Sequence, residues 1–439
     1  MKRVLLVAFA YPPMTDSGAV RAAGLAKYLP SFGWEPLVVT PRTPPGERPA
    51  AAVLETDYRD VLGELKARFR LDPNRGLHQQ LKLPQAVRPG APAPHTRVIG
   101  CIKSLITYPD PTKGWIPFAT QAVTEAAGRN SIDAILTTAP PISAHLIGYK
   151  LKRALRVPWI ADARDLWIGP ENQSSAIHLP MRWLEKKTLS HADGLVTVSE
   201  PWANFLRNRH RRVPVFSILN GFDPAELASG SQSLTPFFSI TYTGILYQGR
   251  RDPTLLFEAL QELLAERVIP REELRVRFYC PIEPWLTALV ERYGLQDVVE
   301  LHGVISRAEA LKKQKESRLL LLLGMSVASD SGCYPAKVFE YLAARRPILA
   351  LGGLKGTVTQ LMEETQAGAH LFGKPELRAC LAEAYRQYRE KGDVAYRAKQ
   401  AAVEQYTQVA MAGRFATLLD SLSDGRVTLP LEDAAVASS

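Results

Sequence analysis

RLLLLLGMSVASDSGCYPAKVFEYLAARRPILALGG, residues 318–353, decides the fold of this chain. Two apolar runs, RLLLLLG and PILALGG, bracket a loop of small and polar residues and a helical pattern, AKVFEYLAA. A run that is apolar at every position suits a strand buried on both faces of a parallel sheet. The unit is therefore strand, loop, helix, strand. Pro335 suits the first helical position, where its missing N–H has no partner to lose, and Pro347 blocks continuation of the helix. Lys337 and Glu340 stand three residues apart on one helical face. A helix N-terminus attracts phosphate through its free N–H groups and its dipole. Lys337 adds a charge for a diphosphate, and Glu340 can accept hydrogen bonds from ribose hydroxyls. The same pair also reads as a surface ion pair, and spacing alone leaves both readings open.

The same alternation runs through the chain, the signature of parallel sheets with crossover helices. RVLLVAFA reads as a strand followed by a helix over 17–32; EPLVVTP, AILTTA, PWIADA and GLVTVS are further strands of one doubly wound domain, expected over 1–228. SGSQSLTP, residues 229–236, has linker composition. After it FSITYTG, a helix over 253–266, LRVRFYC, VELHG, RLLLLLG and PILALGG build a second domain, expected over 237–400. A helix over 401–422 is expected to pack back on the domain pair, with a tail over 423–439. Residues 44–115 break the pattern. Within them Val98, Ile99, Ile102, Leu105 and Ile106 share one helical face beside Arg97 and Lys103, so 84–108 reads either as a helix covering the first sheet or as an interfacial helix on an anionic membrane.

Bulk composition bounds the function. The 439 residues are 46% hydrophobic and 22% charged, a globular balance too long for one core. Four cysteines lack metal-ligand spacing, which suits a reducing compartment and no metal. MKRVLLVAFA imitates a secretory leader, but its apolar stretch is short and Tyr-Pro-Pro follows it, so a buried strand and a cytoplasmic location are expected. The net charge of +10 favours anionic partners: phosphorylated metabolites, anionic lipid or nucleic acid. The last is set aside, because no RNP-type motif, zinc finger or helix-turn-helix is present.

PAKVFEYLAARRPILA resembles the nucleotide-sugar signature of the family 4 retaining glycosyltransferases, whose GT-B fold sets two Rossmann-like domains about a central cleft. VAFAYPPMTDSGAVR with AKYL, TTAPPISAHLIGYKLKR, PWIADARDLW, TVSE, NGFD and YTGILYQGRR are similar to family segments in family order. The resemblance covers residue 1 to about 355, and it looks closest to polysaccharide and lipopolysaccharide members carrying a DxRDLW segment. It implies that Glu340 holds the ribose while Lys337, Arg250 and Arg251 stand near the phosphates, with Gly244, Tyr334 and Pro335 about the donor. Ser17 and Gly18 open the first helix, where small residues permit close approach to phosphate or sugar. Asp162, Arg164 and Asp165 end a strand and are expected to point into the cleft; His145 is placed on the acceptor side.

The resemblance implies front-face transfer from a nucleotide diphosphate sugar, UDP-linked by preference. No metal or other cofactor and no covalent nucleophile is required. The acceptor is a glycan, a lipid-linked sugar or a small molecule, with an anionic membrane surface as a possible partner. Three positions depart from the pattern. Ile245 stands where the family often has a second basic residue, and Arg164 where many relatives carry a sugar-contacting histidine. Gly332, eight residues before Glu340, stands where relatives commonly have a first glutamate; Asp330 or Ser331 is the nearest substitute. Two other readings stay open: a nucleotide-sugar 2-epimerase of the same architecture, and a binding protein that kept the donor pocket and lost transfer.

Overall fold

The computed structural model describes residues 1–43, 46–68, 107–128, 131–170, 176–228, 233–325 and 332–424. Its contacts divide the chain into two compact units. The first holds Met1–Thr197, Trp202–Ile218 and the chain from Ala412; the second holds Val198–Pro201 and Leu219–Met411.

In the first unit seven strands form one parallel sheet: β1 Lys2–Ala8, β2 Trp34–Pro41, β3 Ala52–Thr56, β4 Ala134–Ala139, β5 Trp159–Ala163, β6 Gly194–Thr197 and β7 Val215–Ser217. Their order is β3-β2-β1-β4-β5-β6-β7. The direction of winding reverses between β1 and β4, and in such sheets ligands bind beyond the carboxyl ends of the strands at that reversal. One face of the sheet carries Leu5, Val39, Ile135 and Ala161 into a core with the buried indoles of Trp115 and Trp159. The opposite face of the sheet meets the helix Ser17–Tyr28 along β1, β2 and β4, and the buried side of that helix includes Gly18, Arg21, Ala22 and Leu25.

The second unit repeats the plan with six parallel strands: β8 Phe238–Thr243, β9 Leu274–Tyr279, β10 Val299–Leu301, β11 Leu319–Leu323, β12 Ile348–Leu351 and β13 Gly368–Leu371. Their order, β10-β9-β8-β11-β12-β13, reverses between β8 and β11. All five residues of β11, leucines throughout, are buried, as a central strand covered on both faces requires.

Several expectations are corrected. The first unit ends at Ile218 rather than 228, and the chain returns to it from Ala412. The single helix expected over 401–422 is two, Gln400–Glu404 and Gln408–Ser423. Within its own unit the second of these is tied to the sheet by Asp420, which accepts from the Lys2 ammonium at 3.0 Å and from the Trp34 indole at 3.2 Å. The helix expected to begin at Pro335 begins at Lys337, with Pro335 in the turn before it, its carbonyl accepting from the Val338 N–H. Residues 44–115 are not wholly irregular, since β3 and the helix Val61–Arg68 lie among them. Residues 84–106 of the expected interfacial helix lie outside the described residues, as do Asp330 and Ser331. Among the described residues no helix is long and apolar enough to cross a membrane.

Candidate functional site

In the second unit β8 runs into Gly244, whose φ of +106° lies in the region that favours glycine. Its N–H donates to the Tyr279 carbonyl at 2.9 Å. A Cβ at this position would stand 2.9 Å from the Lys337 Nζ, so the missing side chain makes room for the lysine. Lys337 opens the helix Lys337–Ala344, and its nitrogen lies 3.8 Å from the centroid of the Tyr242 ring. Among the described residues that buried nitrogen has no hydrogen-bond partner. Burial holds the Lys337 ammonium well below the usual lysine range; nearby Arg251 acts in the same direction, and Glu340 opposes them.

Arg251 and Arg250 part company. Arg251 donates from Nη1 to the Ile245 carbonyl at 3.2 Å and lies over the Tyr247 ring at 5.2 Å. It lines a small open pocket with Gly324, Pro335, Gly352, Gly353 and His370, beyond the carboxyl ends of β11 and β12. Arg250 is exposed and does not line that pocket. Here His370 pins the loop after β12. Its Nε2 donates to the Gly352 carbonyl at 2.8 Å and its Nδ1 accepts from the Thr359 hydroxyl at 2.9 Å, a pattern that fits the neutral ring; burial lowers its pKa in the same sense.

Glu340 is already engaged. Its Oε1 accepts from Arg307 Nε at 3.1 Å and its Oε2 from Gln314 Nε2 at 3.2 Å, while a quarter of the side chain stays exposed. Gln314 Nε2 also donates to the Thr243 hydroxyl, which ties the carboxylate to the end of β8. Arg307 is shared with Glu226 at 2.8 Å. The expected surface pair between Lys337 and Glu340 is absent among the described ion pairs. Pro335 lines the pocket. Tyr334 packs on Phe339 at 5.9 Å, its hydroxyl pushed up to about 12 by burial. Gly332 is buried.

In the first unit several expected residues lie elsewhere than expected. Asp162, expected to point into the cleft, is buried. Strand alternation sends it to the face covered by the first helix, where it is fully buried and clasped by Arg21: Nε to Oδ2 at 2.9 Å and Nη2 to Oδ1 at 2.8 Å. The Thr138 hydroxyl donates to the same Oδ2 at 2.8 Å and accepts from Arg164 Nε at 2.9 Å. Arg164 therefore closes a chain of contacts at the carboxyl ends of β4 and β5, its Nη2 also reaching the Pro140 carbonyl at 2.6 Å. A Cβ on Gly18 would stand 2.7 Å from that guanidinium, which is why glycine fits there. Asp165 is exposed. The N-terminus beginning at Ser17 is capped by Asp16, whose Oδ1 accepts from the Gly18 N–H at 2.8 Å and the Ala19 N–H at 3.0 Å. That carboxylate fills the place an approaching phosphate would take.

His145 is also withdrawn, only 2% exposed, with Nδ1 2.8 Å from the Thr137 hydroxyl and its ring beside Trp159 and Trp167. Burial lowers its pKa from 6.5 to about 4, so the native ring is neutral. The unfolded chain binds the proton more readily, so this contribution to stability is complete above pH 6.5 and is lost as the pH falls toward 4. Urea midpoints followed over that window should fall by an amount equivalent to roughly 3 kcal/mol in total from this group, and His145→Phe should flatten the dependence. An unchanged slope in the variant would rule this group out.

Arg21, Arg307 and Gln314 were not foreseen. Only Arg21 left a trace, as a lone charge on the apolar stripe of Gly18, Ala22 and Leu25.

Residues 18–221 match the model of the glycosyl transferase 4-like domain. Compared with curated proteins, the chain has no match. Among solved structures it is similar to Anabaena HepE in complex with UDP, at 15% identity and a TM-score of 0.58, over 96% of this chain and all of that one. It is similar to the sucrose-phosphate synthase of Thermosynechococcus elongatus, at 15% identity and 0.56, over 97% and 100%. A putative UDP-N-acetylglucosamine 2-epimerase from Listeria monocytogenes matches at 12% and 0.51, over 98% and 100%. At such identities the likeness establishes the fold, two Rossmann-like units of the GT-B type, and nothing finer.

Proposed function

We propose that this chain is a retaining glycosyltransferase that transfers a sugar from a nucleotide diphosphate sugar, UDP-linked by preference, to a glycan, lipid-linked or small-molecule acceptor. The observation that carries this reading is the cluster about Gly244, where Lys337 Nζ, Arg251 and the Glu340 carboxylate converge at the reversal point of the second sheet. The UDP named for the Anabaena relative supports the choice of base.

Each residue then has a task. Glu340, held by Arg307 and Gln314, keeps a solvent-facing edge for ribose hydroxyls. Lys337 and Arg251 stabilise the charge that builds on the diphosphate as it leaves, and side chains rather than a metal neutralise it. The bond from the sugar's anomeric carbon to the diphosphate oxygen breaks as the acceptor oxygen attacks on the same face, so no carboxylate bonds to the sugar. Arg164, ordered by Thr138 and Pro140, is the cation at the corresponding edge of the first unit.

Incubation with a panel of UDP-, GDP-, ADP- and dTDP-sugars, followed by analysis of products, tests the reading. Release of nucleoside diphosphate with a glycoside of unchanged anomeric configuration is expected. An epimerised nucleotide sugar would instead identify the 2-epimerase, and binding with no turnover the inert binding protein. Glu340→Ala should weaken UDP binding about 10- to 100-fold, the worth of one charged hydrogen-bonding group. Unchanged affinity by calorimetry would remove Glu340 from the site.

A further inference from the structure

Lys337 presents an anomaly that the transfer reaction alone does not explain. An ammonium is ordinarily buried with a carboxylate or not at all. Here the nitrogen is enclosed, lacks a hydrogen-bond acceptor among the described residues, and rests on an aromatic face. Among the described residues the nearby anionic groups are committed elsewhere. Glu340, on its own helix, is held by Arg307 and Gln314. Cys280, at the end of β9, has its thiol pushed up to about 11 by burial and is protonated at neutral pH. Arg251, in the loop after β8, adds a second positive charge. Tyr242 remains. Its hydroxyl donates to the Ile245 carbonyl at 2.9 Å, which fixes both the ring and the turn through Gly244. Ile245 itself stands where a further basic residue was expected.

We propose that Tyr242 is a positioning residue of this site, its ring holding the Lys337 nitrogen beneath Gly244 with no acceptor among the described residues, so that an entering diphosphate supplies an anion for that nitrogen to bond. The inference rests on the donor reading above and deepens it. Its chemical consequence is proton uptake. Burial and Arg251 favour the neutral amine in the empty site, whereas a bound diphosphate favours the ammonium. One N–H bond forms on Lys337, the proton coming from solvent.

Calorimetry of the full chain with UDP at about pH 8, in two buffers of different ionisation enthalpy, counts that proton. Net uptake is expected for the wild type and none for Lys337→Met. Tyr242→Leu, which removes the ring, should bind UDP about tenfold more weakly. In the Lys337→Met background the Leu substitution should change affinity by less than about twofold, because its effect runs through the lysine. A residue that merely fills the core would instead give additive losses. Should Tyr242→Leu fail to fold, the wild-type proton count and Lys337→Met decide alone. UDP binding without proton uptake, or additive losses, overturns this proposal and leaves the donor reading in place. No binding of either UDP or inorganic pyrophosphate overturns both.

Discussion

Asp162→Ala should destabilise the first unit by about 3–5 kcal/mol, because it removes the carboxylate that pairs with the buried Arg21 guanidinium. Arg21 and Asp162 are 1% and 0% exposed in their side chains, so water cannot take over the lost role. The damage should reach further than the pair. Thr138 loses its acceptor, and Arg164 is bonded to Thr138, so the carboxyl edge of β4 and β5 loosens with it. Urea unfolding measures the effect, and the double variant Arg21→Met/Asp162→Leu should recover most of the loss, since an apolar pair of similar volume is tolerated where a single buried charge is not. A loss below about 1 kcal/mol for Asp162→Ala would mean that the pair is hydrated in solution.

Arg251→Ala should lower kcat about 10²- to 10³-fold with a smaller change in KM, the size expected when a cation that meets developing charge is removed. Arg250→Ala, one residue away, should change either constant less than about threefold. The two are equivalent in sequence and unlike in structure. Arg251 lines the pocket and is aimed by the Ile245 carbonyl and the Tyr247 ring, whereas Arg250 is exposed. Steady-state kinetics with the best donor of the panel separates them. Equal losses for both would point to a diffuse basic surface in place of a directed side chain.

What could be read from the chain, and what could not, follows from the reach of each interaction. β11 announces itself because a central strand must be apolar at every position. β13, GAHL, is four half-buried residues whose place depends on contact with β12: a Cβ on Gly368 would run into the Ile348 backbone. That is a statement about a neighbour and leaves no periodic mark. β3 and β7 are also short, at five and three residues, and β3 is hidden in a proline-rich stretch. The candidate site divides in the same way. Lys337, Glu340, Gly244 and Arg251 belong to local patterns and could be named from them. The partners that decide what those residues do arrive from elsewhere: Arg307 lies 33 residues from Glu340, and Arg21 lies 141 residues from Asp162. Asp162 misled for the same reason. Strand alternation says that it faces one side of the sheet, but only the fold says that an arginine waits there.

The two units use one strand order, three strands wound one way from the first and the rest the other, and two helix ends at their reversal points, after β1 in the first unit and after β11 in the second, are finished differently. In the first unit the N–H groups of Gly18 and Ala19 are already spent on Asp16. In the second, the helix that begins at Lys337 has no side chain across its end and carries a lysine there instead. The end after β1 thus repels an anion where the end after β11 invites one; the counterpart of the former in strand order, after β8, likewise carries an aspartate, Asp252, which accepts from the Thr254 N–H at 2.8 Å. Within the first unit, exchanging Asp16 for an uncharged cap would remove that repulsion and leave the Gly18 and Ala19 N–H groups open to an anion.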